Sequence, residues 1–517
     1  MRIGVDVGGT NTDAVLMDGR KILASEKQPT TENVSDGIVA AIKALFTTSG
    51  VAPTLIKNVM IGTTHFTNAF VERKGLLEVG VIRIALPATK GVAPMIDWPE
   101  DIAQSIGHHC YMIEGGYQCD GSLNAPLDEK ALLQAVKEIG KKGLKTVAVT
   151  GLFSSVNASM EERAKDIILN ELPDISVTLS STIGRIGLLE RENASIMNAS
   201  LAHMSARVVK SFSDALKRLN ITAPFYISQN DGTLMSAEYV EKYPVLTFAS
   251  GPTNSMRGAA YLSGLKDAIV ADIGGTTTDI GMLSNGFPRE STVPVDIGGV
   301  RTNFRMPDIL AIGLGGGSII KTGDALTIGP KSVGYKLLQD SLVFGGQTLT
   351  TSDIAVAAGY ADFGDKSLVK HLPAKTIADA VAEIHALITE GVDRMKLSAE
   401  PVPLVLVGGG SILVNQKIPG TSNVITPEHA SVANAVGASI AQIGGEIDQV
   451  YSYDEVGRET ALKTAKDLAV QAAISAGAVP DSIIVTDMEE VPLAYVPGGA
   501  VRVRVKVAGD LAMEDNS

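Results

Sequence analysis

Two short stretches of this chain carry the same residue types in the same order: DVGGTNTD from Asp6 to Asp13, and DIGGTTTD from Asp272 to Asp279. Each places an aspartate before two glycines, continues with hydroxyl or amide side chains, and closes on a second aspartate. Glycine lets backbone amides approach an anion closely, and consecutive N–H groups form a concave nest for phosphate oxygens. Gly8, Gly9, Thr10, Asn11 and Thr12 in the first loop, and Gly274, Gly275, Thr276 and Thr277 in the second, are the candidate cradle. Asp6 and Asp272 repel phosphate directly, but an aspartate at a strand end can hold Mg²⁺ or Mn²⁺, commonly through water, while that ion bridges the phosphates. Two such loops facing each other can grip one triphosphate from both sides. A single loop of this kind reads equally well as the tight entry to a hairpin. The duplication favours nucleotide binding, and so does a third glycine turn, Gly408-Gly409-Gly410, which would let a flat adenosine face lie against backbone. No Walker A loop sits beside a suitable strand and helix.

The elements that must position these loops repeat as well. RIGVDVGG reads as a buried strand entering a glycine turn, and the following residues read as a hairpin closed by Asp18-Gly19. A helix over residues 35–48, with Ser35 as its N-cap, and the apolar strand IKNVMIGTT complete a β-β-β-α-β order. From 267 the chain repeats strand, glycine loop and strand up to an Asn285-Gly286 turn. Between these, residues 76–127 loosen into what reads as an insertion carrying a hairpin, helix and strand alternate after 127, and residues 188–219 read as one long helix joining two lobes. After 446 a helix and strands around Pro497-Gly498-Gly499 predict a small added module with a solvated tail. The expected organisation is an α/β fold in four parts: a first lobe over 1–187, a connecting segment over 188–266, a second lobe over 267–445 and a C-terminal α/β module over 446–517.

At 517 residues the chain exceeds what a single core sustains, about 250–300 residues. Aromatics are only 4%, so the cores must be built from Ala, Val, Ile and Leu. With 44 Lys plus Arg against 57 Asp plus Glu, the net charge of -13 argues against nucleic acid as a partner. Two cysteines, Cys110 and Cys119, make no disulfide framework, and neither a leader pattern nor an apolar run of about 20 residues stands out, so the expected location is cytoplasmic and away from membranes. His108, His109, Cys110 and Cys119 fall within one short segment, but their spacing matches no standard zinc pattern and the segment reads as a hairpin shaping the insertion.

At these residues the chain resembles the actin, sugar kinase and Hsp70 superfamily, in which two duplicated ribonuclease H-like lobes clamp ATP in the cleft between them. A narrower resemblance is carried by GTTHFTNAFVERKG at 62–75, SQNDGTLMSAE at 228–238, SGPTNSMRGAAYL at 250–262, GLGGGSI at 313–319 with IGPKSVG at 328–334, and TSDIAVAAG at 351–359. In that order these blocks resemble the ATP-dependent alpha subunits of the hydantoinase/oxoprolinase family.

The resemblance implies ATP-dependent activation of a cyclic amide, such as a hydantoin, 5-oxoproline or related lactam. An amide is a poor electrophile, and phosphorylating its oxygen makes that oxygen a leaving group for ring-opening hydrolysis. Positioning and charge neutralisation then matter more than covalent chemistry by the protein. On this reading Asp6 and Asp272 organise the cation, and Asp279 or Asp231 orients substrate or accepts a proton; Asp231 reads equally well as a turn residue. His65, at a strand end, is a further candidate contact, while Glu192 and Asn193 at a helix start are secondary. Relatives often read PGPACYG where this chain has GYKLLQDSLVFGG at 334–346, so substrate contacts are not carried over there. A beta-type hydantoinase subunit is the implied partner, in a hetero-oligomer. The same cleft would suit a small-molecule kinase, or an ATPase that activates or reactivates a partner enzyme.

Overall fold

The structure is a computed structural model and describes every residue except 9–10, 31–33, 185, 292, 304–305, 324–325, 494–497 and 513–517. Three strands open the chain as an antiparallel meander: β1 (Arg2–Val7), β2 (Asn11–Asp18) and β3 (Lys21–Pro29). Gly19, at φ 55°, supplies the left-handed turn between the last two. β1 is buried from Ile3 to Val7 because β4 (Asn58–Thr63) pairs parallel to its other side. Four further strands, β5 (Val79–Leu86), β6 (His109–Glu114), β7 (Thr146–Gly151) and β8 (Ser176–Leu179), form a separate parallel sheet in the order β6-β5-β7-β8. Next come β9 (Phe225–Ser228) and β10 (Thr233–Ser236), which return to the first sheet.

The second lobe repeats the opening. β11 (Ala268–Ile273) and β12 (Thr278–Ser284) pair antiparallel, with β13 (Phe287–Pro288) beyond. The ribbons β14 (Val295–Ile297) with β15 (Val300–Thr302), and β17 (Ser318–Lys321) with β18 (Thr327–Ser332), flank β16 (Ile309–Ile312), which joins β12. Parallel strands β19 (Val402–Val407) and β20 (Thr421–Ile425) complete this sheet beside β11. The registers match: Asp6 lies opposite Asp13 as Asp272 lies opposite Asp279. This is the duplicated α/β arrangement that the sequence predicts.

Three segments fold differently from their sequence expectation. Within 76–127, β5 and β6 are parallel members of a four-stranded sheet rather than loose short strands, because VGVIRIAL is apolar almost throughout and is buried on both faces, and a short antiparallel bridge, Tyr117↔Leu123, follows β6. Residues 188–219 form two helices, Leu188–Ser200 and Ala202–Arg218. The Ser200 carbonyl accepts the Leu77 N–H at 2.9 Å, tying the break to the strand region beside it. The boundary expected at 445 falls inside β21 (Gln442–Ser452). With β22 (Ile484–Pro492) and β23 (Ala500–Gly509), β21 extends the first sheet to nine strands, β22-β23-β21-β10-β9-β4-β1-β2-β3. Val503, Val505 and Val507 of β23 are fully buried and share a core with Ala465, Ala469 and Ala473, spaced by four along helix Arg458–Ser475. Each such valine contributes about 1.5–3 kcal/mol of burial.

Two helices cross between the glycine-loop strands, Ser250–Ser263 and Ala433–Ile440. A Cβ at Gly258 would lie 1.8 Å from the Ala433 carbonyl oxygen, and one at Gly437 would lie 1.8 Å from that of Asn254. Their glycines let the helices meet backbone to backbone.

Candidate functional site

The site is built from the ends of β1 and β11. In each loop the first glycine closes the turn on its own backbone: Gly8 N donates to Asn11 O at 3.0 Å and Gly274 N to Thr277 O at 2.9 Å. Those two amides are engaged, whereas Gly275 has open space where a side chain would stand. Gly9 and Thr10 lie outside the described residues. Each loop is braced from behind. Thr30 Oγ1 donates to Gly8 O at 2.8 Å, and Gly316 N and Gly317 N donate to Gly274 O and Gly275 O at 2.9 and 2.7 Å. Thr12 Oγ1 and Thr30 Oγ1 lie 3.3 Å apart. The hydroxyl of Thr278 is turned to Leu314 O at 2.7 Å, and Thr276 sits against Gly315, where a Cβ would come within 2.6 Å of its nitrogen.

The third glycine turn is pressed onto the second loop. Gly410 N donates to Ile273 O at 2.7 Å, and a Cβ at Gly408 would reach Asp272 Oδ1 at 2.3 Å. Gly408 and Gly410 are thus explained by packing, and Gly409 is the residue with open space around it.

Four carboxylates gather between the loops. Asp6, 4% exposed, accepts from Asn254 Nδ2 at 3.2 Å and Asn434 Nδ2 at 3.0 Å. Asn434 Nδ2 also reaches Asp13 Oδ2 at 2.8 Å, and Lys27 Nζ pairs with Asp13 Oδ1 at 2.6 Å. Burial, opposed by the Asn254 and Asn434 amides and reinforced by Asp13 and Asp272, pushes the Asp6 carboxyl up to about 6. Burial also raises Asp272, against a hydrogen bond from Ser255 and the charge of Lys27, with Asp13 adding to the rise. Asp279 is pushed up to about 7, first by burial and then by Asp272. Among the described residues Lys27 is the cation that pairs within this set of four carboxylates, so acids outnumber bases there. Among the described residues no group of three or more His, Cys, Asp or Glu side chains is arranged to ligate one ion directly. A divalent cation here would be held by few carboxylates, with water and phosphate completing its shell.

The remaining candidates fall elsewhere. Asp231 is outside the cluster: its Oδ1 accepts from Thr233 N at 2.9 Å and Thr233 Oγ1 at 2.6 Å, and its Oδ2 pairs with Lys506 at 3.0 Å. His65 starts the helix His65–Val71 at the end of β4, beside the Asp6 strand, and burial lowers its imidazole pKa. Glu192 forms a buried two-pronged pair with Arg83 at 2.7 and 2.5 Å, and Asn193 accepts from Trp98 Nε1 at 2.7 Å. His109 is held between Glu78 at 2.8 Å and Lys142 at 3.0 Å, and Cys110 and Cys119 are both free thiols.

Asn254, Ser255, Asn434, Lys27 and Gly62 are members of the site that the loops alone do not reveal. A Cβ at Gly62 would lie 2.1 Å from Asp6 Oδ1, so this glycine makes room for the Asp6–Asn254 bond. Asn254 and Asn434 stand 248 and 428 residues from Asp6 in sequence, a distance no local pattern spans.

Fold and site together define an α/β protein of two repeated hairpin lobes whose glycine-loop strands bring four carboxylates together. The chain belongs to the hydantoinase/oxoprolinase family: residues 2–172 match the hydantoinase/oxoprolinase N-terminal region and residues 191–365 match hydantoinase/oxoprolinase. It is 27% identical over 397 residues to the acetophenone carboxylase gamma subunit of Aromatoleum aromaticum, covering 69% of this chain and 53% of that one. To the caprolactamase subunit alpha of Pseudomonas jessenii it is 26% identical over 385 residues, covering 69% and 54%. The crystal structure of the ATP-dependent caprolactamase from Pseudomonas jessenii shares the fold, with a TM-score of 0.80 at 20% identity over 99% of this chain and 88% of that one. The chain spans about half the length of the curated relatives it matches. Among the described residues no helix is long and apolar enough to cross a membrane.

Proposed function

We propose that this chain binds ATP across its two aspartate–glycine loops and phosphorylates the amide oxygen of a cyclic amide, activating the ring for hydrolysis with a partner subunit. The observation that carries the reading is the facing pair Asp6/Asp13 and Asp272/Asp279, partly buried and short of compensating cations. That charge imbalance fits a divalent cation, Mg²⁺ or Mn²⁺, held by Asp6 and Asp272. Such an ion would neutralise the carboxylates and the phosphates together. The names of relatives support the rest: one is an ATP-dependent caprolactamase, and two are subunits of larger enzymes.

In this mechanism Gly275 and Thr276 present the second loop to the phosphates, since Gly8 N and Gly274 N are engaged in their own turns. Gly409, with open space around it, would let a flat adenosine face lie against the backbone. Asn254 and Asn434 fix the Asp6 carboxylate, and Ser255 does the same for Asp272. Asp279, with its carboxyl near 7, can exchange a proton at neutral pH beside the transferred group. The γ-phosphoryl bond to ADP breaks as the bond to the amide oxygen forms; water then adds to the ring carbon, the C–N bond breaks as the nitrogen takes a proton and leaves as an amine, and a second water hydrolyses the resulting acyl phosphate to the carboxylate and phosphate.

The test is coexpression with the neighbouring gene product, followed by assay of a lactam and hydantoin panel. Stoichiometric ADP, phosphate and ring-opened acid are expected. A stable phosphoester made from a small alcohol by the chain alone would instead identify a kinase. Turnover stimulated by a folded partner but by no ring compound would identify an activating ATPase.

A further inference from the structure

The two aspartate–glycine loops are repeats, so a place where they differ is informative. In the first lobe β3 runs along β2, and the residue opposite Asp13 is Lys27. In the second lobe β13 pairs with β12 only at Leu283↔Pro288 and Ser284↔Phe287, and the residue opposite Asp279 is Ala311 of β16. Directly opposed residues on neighbouring antiparallel strands share a face. One loop therefore carries an ammonium beside its second aspartate, and the other a methyl group. The strand that bears Lys27 is also fastened to its own loop, because Thr30 Oγ1 donates to Gly8 O at 2.8 Å.

Lys27 is not used up by the fold. Its Nζ stands 2.6 Å from Asp13 Oδ1, but the contact is an ion pair without the alignment of a hydrogen bond. The lysine side chain is 36% exposed, against 5% for Asp13. Asp13 is held in turn: its Oδ2 accepts from Asn434 Nδ2 at 2.8 Å, and the same nitrogen reaches Asp6 Oδ2 at 3.0 Å. A carboxylate fixed in this way aims the ammonium, whose three N–H groups can turn to an anion placed before it. The charge of Lys27 also acts on Asp272 of the second loop, so it serves the space that both loops share. The direction of a bound triphosphate follows from the third glycine turn. Gly408 and Gly410 pack on Asp272 and Ile273, which puts the adenosine end on the side of the second loop. The γ-phosphoryl group, at the other end, then meets the first loop and Lys27.

We propose that Lys27, aimed by Asp13, binds the γ-phosphoryl oxygens of ATP and makes the site prefer a triphosphate to a diphosphate. The inference rests on the ATP-dependent function proposed above and adds a residue to it. As the P–O bond to ADP breaks and the bond to the acceptor oxygen forms, the ammonium keeps its proton and offsets charge on the phosphoryl oxygens. Titration calorimetry of the full chain in Mg²⁺, with the β,γ-imido analogue of ATP and with ADP, tests it. Lys27→Met is expected to weaken the triphosphate analogue about tenfold or more and ADP less than about threefold, and retained ADP binding also shows that the variant folds. The double variant Lys27→Met/Asp13→Asn, which removes the carboxylate charge together with its partner, is expected to show the same selective loss. Lys27→Arg, which keeps the cation, is expected to retain the preference for triphosphate. Equal weakening of both nucleotides in the double variant would make Lys27 a brace for its loop, and unchanged binding of both would show that it touches neither. Either result overturns the inference and leaves the proposed function standing. Binding of neither nucleotide by the wild-type chain would remove the proposed function and the inference together.

Discussion

Two of the places where the molecule buries charge treat it in opposite ways. Arg83 and Glu192 are fully buried and meet in a two-pronged pair, and nearby Glu161 accepts from Gly151 N, Ser180 Oγ and Ser181 N. Arg191 completes that network by donating to Ser180 Oγ at 2.9 Å and Gly151 O at 2.6 Å. Every charge there has a protein partner, and the region ties the parallel sheet to helix Leu188–Ser200. Around Asp6 and Asp272 the carboxylates outnumber the cations, and burial raises their proton affinity instead. A paired buried ion is architecture; an unpaired one is a demand that something from outside must meet.

The largest effect is expected in the paired region. Arg83→Met strands the Glu192 carboxylate in the core and should cost about 3–5 kcal/mol, read by denaturant unfolding. A loss near zero would mean that Glu192 is protonated or rehydrated, and the two regions would then not differ in kind. Asp272→Asn in the unpaired region should behave in the opposite sense: stability without nucleotide equal to or above wild type, with divalent-dependent ATP turnover down about 100-fold or more. Unchanged turnover would remove Asp272 from the cation site.

A smaller effect concerns pH. Folded Asp6 and Asp279 hold their protons more tightly than an unfolded aspartate, which titrates near about 3.9. Their stabilising contribution is full below that value and is lost as pH rises through about 6 and about 7. The Tm difference between wild type without nucleotide and an Asp6→Asn/Asp279→Asn variant should therefore grow from pH 5 to pH 7.5, with wild type the less stable. A difference independent of pH would show that the two carboxyls titrate normally. At the small end, Arg163→Ala removes an exposed pair with Glu129 and should leave Tm unchanged, marking the baseline against which both buried regions are judged.

The loops were legible because they are local: an aspartate, two glycines and a second aspartate sit within eight residues, and the repeated register follows from the repeated pattern. The parallel pairing of β5 and β6 was hidden because the stretch between them, with Pro87, Pro94 and Pro99, reads as irregular until the neighbouring strand β7 is known. Asp231 illustrates the same limit. Its place in a polar loop after a strand is compatible with catalysis, and only the partner Lys506, far along the chain, shows it in an ion pair away from the cluster. Glu192 and Asn193 also read as helix-start residues near a cleft, yet their partners Arg83 and Trp98 make them ties within the core. The amides that hold Asp6 come from two helices whose crossing is a tertiary fact, so nothing near Asp6 announces them.

That crossing sets a dimension. At Gly258 and Gly437 the absence of two methyl groups fixes how near the two helices lie, and Asn254 and Asn434 ride on them. An alanine at either position would wedge the pair apart and carry an amide away from Asp6 without altering any charged residue. The spacing of the two helices, and with it the placement of both amides, is thus gauged by what the chain leaves out.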